Sequence, residues 1–395
     1  MKFIPTNFLS RKNDVNRPVS ILAIALFSAL GPYVFQVMPV YISAAATAFS
    51  LTESQVGRLA AADLFGILAS SLLMRLIVQR INWRLILISA SGVVVITNLF
   101  CVSTEAYGPL IVLRFGAGLG AGAVLSLVMA SVGQTRQPDR NVAIAIATQV
   151  ALASIGLVGL PYLIDVFGLS SVYLLFAILT VLPLPLVCQL PTSAGPKLSK
   201  QDRNQEESSP NAWLALIASS IFFLGQGAFW GYIGQVGASA GLSAAYVSKV
   251  LGLGAIVGFV SALLASWLGH RYGRIKPIGI SSFAMCVAVL LLGGKPDEIM
   301  FLLACQVYLF FWHFSIAFQV GIIVTVDHAG KAAVSIPAFQ AIGLASGPLI
   351  GSFIVGADNF SQLYSLILIA IVISFILFLI VVKRATPLKN GAVCR

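Results

Sequence analysis

The chain has 395 residues, 58% of them hydrophobic and 9% charged, with a mean hydropathy of +0.97 and a formal net charge of +11. A soluble domain carries roughly 25% charged residues, and no soluble fold could hide this much apolar surface. The alternating polarity in segments of about ten residues that marks a transmembrane barrel is missing, so the spans must be helices.

A helix crossing about 30 Å of hydrocarbon needs roughly 20 apolar residues. On that ruler the chain divides into twelve spans, at 19–46, 54–78, 85–102, 109–132, 142–164, 172–188, 213–238, 246–268, 278–293, 299–326, 332–355 and 362–382. Lys2, Arg11, Lys12 and Arg17 precede the first of them, as in a secretory signal. That apolar stretch is too long for a signal core, holds Pro32 and Pro39, and shows no small-residue cleavage site, so it is expected to stay as a span.

Basic loops remain cytoplasmic. With both termini inside, nearly every Lys and Arg falls on the cytoplasmic side; Arg58, Arg114, Lys249 and Lys295 are the exceptions. The positive charge is therefore a topological signal and not the mark of a nucleic-acid partner. The five cysteines, Cys101, Cys188, Cys286, Cys305 and Cys394, have no CxxC spacing and imply neither a disulfide framework nor a metal site. No cofactor is called for.

Residues 191–211, reading PTSAGPKLSKQDRNQEESSPN, are polar and rich in Pro and Ser. They are expected to be a flexible cytoplasmic linker between an N-terminal six-helix bundle, 1–190, and a C-terminal one, 212–395. The two halves are related. A shift of 191 residues lays Leu51 on Leu242, Val56 on Val247, Arg58 on Lys249, Ser70 on Ser261, Arg80 on Arg271, Arg140 on Lys331 and Gln149 on Gln340. A shift of 187 sets Ile155, Gly156, Leu157 and Pro161 against Ile342, Gly343, Leu344 and Pro348. Two parallel halves are the organisation of a rocking transporter whose solute site lies at their interface near mid-membrane.

Three short stretches resemble the major facilitator superfamily, and the resemblance covers nearly the whole chain. The loop after the second span, Gln79-Arg80-Ile81-Asn82-Trp83-Arg84, is a weak copy of the family's gating loop. Its second-half counterpart, Leu268-Gly269-His270-Arg271-Tyr272-Gly273-Arg274-Ile275-Lys276, is closer. By resemblance, Arg80, Arg84, His270, Arg271, Gly273 and Arg274 take part in gating, although Gln79 and His270 replace the family's Asp and Asn82 its Gly. The fourth span carries Arg114 followed by Gly116, Gly118, Gly120 and Gly122, an Arg-glycine pattern that the family associates with proton coupling. The fifth span carries Gly156, Gly159 and Pro161 in a departure from the family's antiporter motif. The better Gly-Pro is Gly347-Pro348 in the eleventh, and these five residues are hinge candidates that tilt the reading toward export.

Ionisable groups within spans are costly and point to function. Asp63, the mid-span carboxylate, lies at a depth comparable to Arg114. Two readings stand: Asp63 takes and releases a proton while pairing alternately with Arg114, or the two form a permanent structural pair. His313 sits at mid-span in the tenth span, and an ordinary pKa of about 6.5 suits a proton switch; the alternative is a hydrogen-bonded structural or solute-contacting ring. The resemblance further implies that spans 1, 4, 7 and 10 line a cavity. The solute-site candidates are then Tyr33 and Gln36 on the first, Gln226, Trp230, Tyr232 and Gln235 on the seventh, and Gln306, Trp312 and Gln319 beside His313 on the tenth.

The G-x-x-x-x-G-K-[ST] phosphate loop is missing from the sequence, so secondary transport of a small solute is expected, with protons as the coupling ion and a monomer in the lipid bilayer as the working unit. Proton-coupled uptake and uniport are the alternatives. A non-transporting membrane sensor would more often carry a soluble domain, and a membrane enzyme would need clustered catalytic groups at one depth. A largely neutral cavity admits a neutral metabolite, an amphipathic drug or a monoanion, and disfavours a polyanion.

Overall fold

The computed structural model describes residues 14–30, 33–77, 80–132, 134–193, 210–268, 271, 273–294, 296–327, 331–356 and 359–385. The first span is built from α1 (Pro18–Leu30), α2 (Tyr33–Gln36) and α3 (Met38–Ala48). The next five are α4 (Glu53–Ile77), α5 (Trp83–Val102), α6 (Tyr107–Val132), α7 (Pro138–Phe167) and α8 (Ser170–Val181), the last continuing into a 3-10 turn at Leu184–Gln189. The remaining six are α9 (Pro210–Ser239), α10 (Ala244–Leu268), α11 (Ile275–Leu292), α12 (Glu298–Val326), α13 (Lys331–Ile354) and α14 (Ser361–Ala385). Eleven stretches among the described residues are long and apolar enough to cross a membrane, and the broken first span supplies two shorter apolar helices. Large apolar side chains such as Phe167, Phe283 and Ile299 stand exposed on the outer faces of the bundle, where lipid is their solvent.

Two spans depart from the expected single helix, and proline accounts for both. Pro39 lies in the first turn of α3, where a missing N–H does no harm to the helix that follows. It does remove the donor that the carbonyl of Phe35, four residues earlier, would otherwise receive. That carbonyl accepts instead from Trp230 Nε1 on α9, at 2.7 Å. The break in the first span thus creates a contact between the two halves. In the sixth span, Pro183 and Pro185 end the α-helix at Val181, well short of the expected 188, and the chain tightens into the 3-10 turn.

Within the first six spans, α4 packs on α6, α5 on α6 and α8, and α1 on α7. Within the last six, α9 packs on α13 and α14, and α12 on α10 and α11. The halves meet through α4 with α13, α7 with α10, and α3 with α9. Small residues set the close approaches, as expected where lipid gives helices no hydrophobic reason to associate. Gly118 of α6 lies against the backbone of Asp63, and Gly122 against that of Ile67, both on α4. At the 191-residue offset these positions become Leu309, Gly254, His313 and Gly258. In the second half Leu309 fills the space at Gly254, and the His313 ring fills the space at Gly258. The same two helix contacts recur with the bulk moved to the other helix, which explains why a search for identical residues sees the repeat only faintly.

Candidate functional site

Within each half short loops make successive spans antiparallel, so depth can be read from position along each helix. Every cross-half contact described here lies at mid-depth or beyond, toward the face opposite the chain ends. Tyr232 Oη donates to the Glu53 carbonyl at 3.1 Å, and Ser43 Oγ to Gln235 Oε1 at 3.4 Å. Ser154 Oγ donates to the Gly252 carbonyl at 3.3 Å, and the Arg58 guanidinium lies 5.6 Å from the centre of the Phe353 ring. Gly57 abuts the Tyr232 hydroxyl, the Pro348 carbonyl and Ser352, while Gly234 abuts the Pro39 carbonyl and Ser43. This side of the molecule is held closed by these side-chain contacts, with backbone against backbone at Gly57 and Gly234.

From the seal toward the face of the chain ends, the halves enclose a cavity of about 450 Å³, within the range of small-molecule sites. Its walls come from both halves, with Gln36, Ile67, Gln149 and Leu157 on one side and Phe223, Trp230, Gly258, Trp312, His313 and Gln340 on the other. Trp230 and Trp312 meet edge to face with centroids 6.0 Å apart, a favourable aromatic geometry. His313 Nδ1 lies 2.8 Å from the Leu309 carbonyl. A carbonyl only accepts, so Nδ1 carries the hydrogen and Nε2 is the basic nitrogen. Among the described lining residues there is no Asp, Glu, Lys or Arg.

Asp63 and Arg114 are brought together as the sequence placed them, but inside the first six spans and not on the cavity wall. Arg114 Nη2 reaches Asp63 Oδ1 at 2.7 Å and Nε reaches Oδ2 at 3.0 Å, a bidentate pair. Arg114 Nη1 donates to Asn98 Oδ1 at 2.8 Å, and Tyr41 Oη to Asp63 Oδ2 at 3.1 Å. The rings of Tyr41, Tyr173 and Phe176 surround the guanidinium at 5.2, 5.9 and 5.8 Å. Both side chains are buried. Asn98, Tyr41 and Tyr173 were not singled out from sequence, although the one amide side chain of the third span was a usable signal.

Of the solute-site candidates, Gln36, Trp230 and Trp312 border the cavity, as does His313. Tyr33 turns the other way, its ring against Gly156 and Phe176. Tyr232 and Gln235 belong to the seal. Gln306 Nε2 braces α12 to α10 through the Val250 carbonyl at 2.8 Å. Gln226 and Gln319 are fully buried among the last six spans, Gln319 Nε2 bonding Ser315 Oγ at 2.9 Å. Two cavity residues were overlooked, Gln149 and Gln340, which border the cavity from opposite halves. They had appeared as a repeat pair, and their coincidence at one offset was the available signal.

The loop cations serve their own halves in this conformation. Arg84 is buried and donates from Nε to the Leu190 carbonyl at 2.9 Å, holding the end of the sixth span. Arg274 bonds Thr325 Oγ1 at the end of α12 and lies against Gly321. Arg271 covers the Trp267 ring at 5.5 Å. Arg80 is exposed, Gly273 takes a positive φ of 73°, and His270 lies outside the described residues. Among the hinge candidates, Pro161 and Pro348 sit inside continuous helices. Gly159 is open, and Gly347 seats α13 on the backbone of α9 at Leu224 and Gly227.

A comparison with curated protein sequences yields no match. Among solved structures the chain is similar to a point mutant of the nucleoside transporter NupG, with a TM-score of 0.73 at 12% identity over 93% of this chain and 100% of that one. It is also similar to a bacterial homologue of the human lysosomal transporter Spinster in an inward-facing, unoccupied conformation, with a TM-score of 0.62 at 14% identity over 96% of each chain. At such identities the likeness is one of fold. The model of the Major Facilitator Superfamily matches residues 20–336, and with the glycine-seated helix pairs and the cavity between halves in place, the chain belongs to that superfamily of membrane transporters.

Proposed function

We propose that this protein is a secondary active transporter of the cell inner membrane that exports a small solute, drug or metabolite, by alternating access coupled to protons. The carrying observation is the cavity walled by both halves, sealed on one face and reaching toward the other. The basic loops assign the open side to the cytoplasm, which makes this the inward-open conformation with both termini inside. Residues 1–190 and 212–395 are the rocking bodies and 191–211 their linker; each chain holds both bodies and works as a monomer.

His313 is the coupling residue in this reading, because it is the titratable group on the described cavity wall and its basic nitrogen is left free for a proton. Asp63 and Arg114 act as a fixed strut. Each is satisfied by hydrogen bonds on every side that the geometry offers, and neither borders the cavity. Export is assigned on the likeness of Gly347-Pro348 to the family's antiporter motif; Gly347 seats α13 on α9, and the Pro348 carbonyl abuts Gly57 in the seal. Uptake by symport or uniport is the second reading, favoured by the fifth span, where Tyr162 stands exposed on the outside of the bundle in place of a trailing glycine.

The test is proton movement in proteoliposomes loaded with a pH dye, while pools of neutral metabolites and drugs are added. Wild type and Asp63→Asn are expected to give a proton signal per folded molecule, and His313→Gln to give none while still exchanging solute. Loss of the signal in Asp63→Asn with His313→Gln intact moves the coupling to the ion pair. Solute flux without any proton signal in wild type makes the protein a uniporter.

A further inference from the structure

Three residues that border the cavity hold hydrogen-bonding atoms that are buried and unpartnered in this conformation. Gln36 Oε1 on α2, Gln340 Nε2 on α13 and Trp312 Nε1 on α12 are all buried without a hydrogen-bond partner. All three residues border the cavity, and Trp312 as a whole is only 6% exposed. Burying such atoms unpaired is unfavourable, and a solute that reached them would relieve that cost. Of these buried orphan atoms the acceptor belongs to the first half and the two donors to the second, and Gln149 and His313 add further polar groups to the wall. The other indole differs: Trp230 Nε1 is already spent on Phe35, so that ring is held in place with only its faces and edges to offer.

Electrostatics narrows the choice further. A charged solute entering an apolar cavity needs an opposite charge, and burying a charge without a partner costs far more than burying a neutral polar group. The described wall supplies no carboxylate or basic side chain other than His313, and the nearby Asp63 is fully committed to Arg114. A polyol is poorly served as well, since most of the residues that line the cavity are apolar.

From these observations we infer that the solute is a neutral, flat heteroaromatic compound bearing a lactam or carboxamide edge. Its ring packs into the corner between Trp230 and Trp312, its N–H donates to Gln36 Oε1, and its carbonyl accepts from Trp312 Nε1 or Gln340 Nε2. Because the acceptor and the donors come from different halves, such a solute bridges α2 to α12 and α13 when it binds. This inference rests on the transporter reading for its physiological meaning, but the binding site stands or falls separately.

The experiment is equilibrium binding of radiolabelled nicotinamide, uracil and indole-3-carboxamide to the purified full-length protein in lipid nanodiscs. Benzoate, tetraphenylphosphonium and glucose serve as the anionic, cationic and polyol comparators. At least one neutral heteroaromatic probe is expected to bind, and at least tenfold more tightly than every comparator. Trp312→Phe, which keeps the ring and loses the N–H, and Gln340→Leu are each expected to weaken that probe by about tenfold. Failure of all three probes, or a comparator binding as tightly as they do, overturns the inference without recourse to any variant. Unchanged affinity in both variants overturns it too. The same probes are then followed into proteoliposomes: binding without flux keeps the site and contradicts transport, whereas flux of a charged pool member with no heteroaromatic binding keeps transport and overturns the solute class.

Discussion

Arg114 illustrates how a single buried charge is made tolerable. Its guanidinium spends two nitrogens on Asp63 and one on Asn98, and three aromatic rings cover the remainder. Removing one partner of such a pair leaves the other charge buried alone, at a cost of about 3–5 kcal/mol. Arg114→Leu is therefore expected to lower the thermal unfolding midpoint of the purified protein sharply, whereas the double change with Asp63→Leu should lose clearly less than the two single changes summed. Strict additivity would contradict the strut. At His313 the decisive neighbour is Gly258: a Cβ there would meet the imidazole at 2.6 Å from Nδ1. Gly258→Ala should push the ring off the Leu309 carbonyl and reduce proton coupling in the vesicle assay, with folding preserved. Normal coupling in that variant would show that the ring's placement does not matter.

At the scale of helices, the seal depends on positions where no side chain fits. Gly57 on α4 faces a carbonyl of α13 and the Tyr232 hydroxyl oxygen, and backbone cannot yield as a flexible side chain can. Gly57→Val should disfavour the sealed arrangement and move the population toward the conformation open on the opposite face. Trp230→Phe should do the same more mildly, by about 1 kcal/mol for the one hydrogen bond lost. Both are measured as increased accessibility of an engineered cysteine at Ser43 to a membrane-impermeant thiol reagent, and unchanged accessibility would contradict the assignment of these contacts to the seal. Most span limits were legible in the sequence, because hydrocarbon demands about 20 apolar residues whatever the fold; α12, expected over 299–326, runs Glu298–Val326. The short sixth helix was less legible, since Pro183 and Pro185 leave composition apolar while removing backbone donors. Which face of a span meets the cavity was not legible at all where every face is apolar or small. That is why Tyr33 and Gln226, at suitable depths, proved to point elsewhere, and why Gln149 and Gln340 were seen as a repeat pair before they were seen as cavity walls.

For the whole molecule, the account depends on two bodies that rock about one cavity. The exchange of bulk between Gly122 with Ile67 and His313 with Gly258 bears on this, because it leaves the two helix contacts superficially alike and chemically unlike. A symmetric frame permits both inward-open and outward-open arrangements at similar energy, and the asymmetry places the titratable ring in one half alone. The most direct test is a pair of distance distributions from spin labels on a cysteine-free background. One pair, at Glu105 and Glu298, spans the sealed face; the other, at Gln137 and Arg271, spans the open face. The account predicts two populations in each pair with reciprocal behaviour, so that conditions lengthening the first distance shorten the second. A single fixed distance in both pairs, unchanged by solute, by pH or by Gly57→Val, would contradict alternating access in this protein.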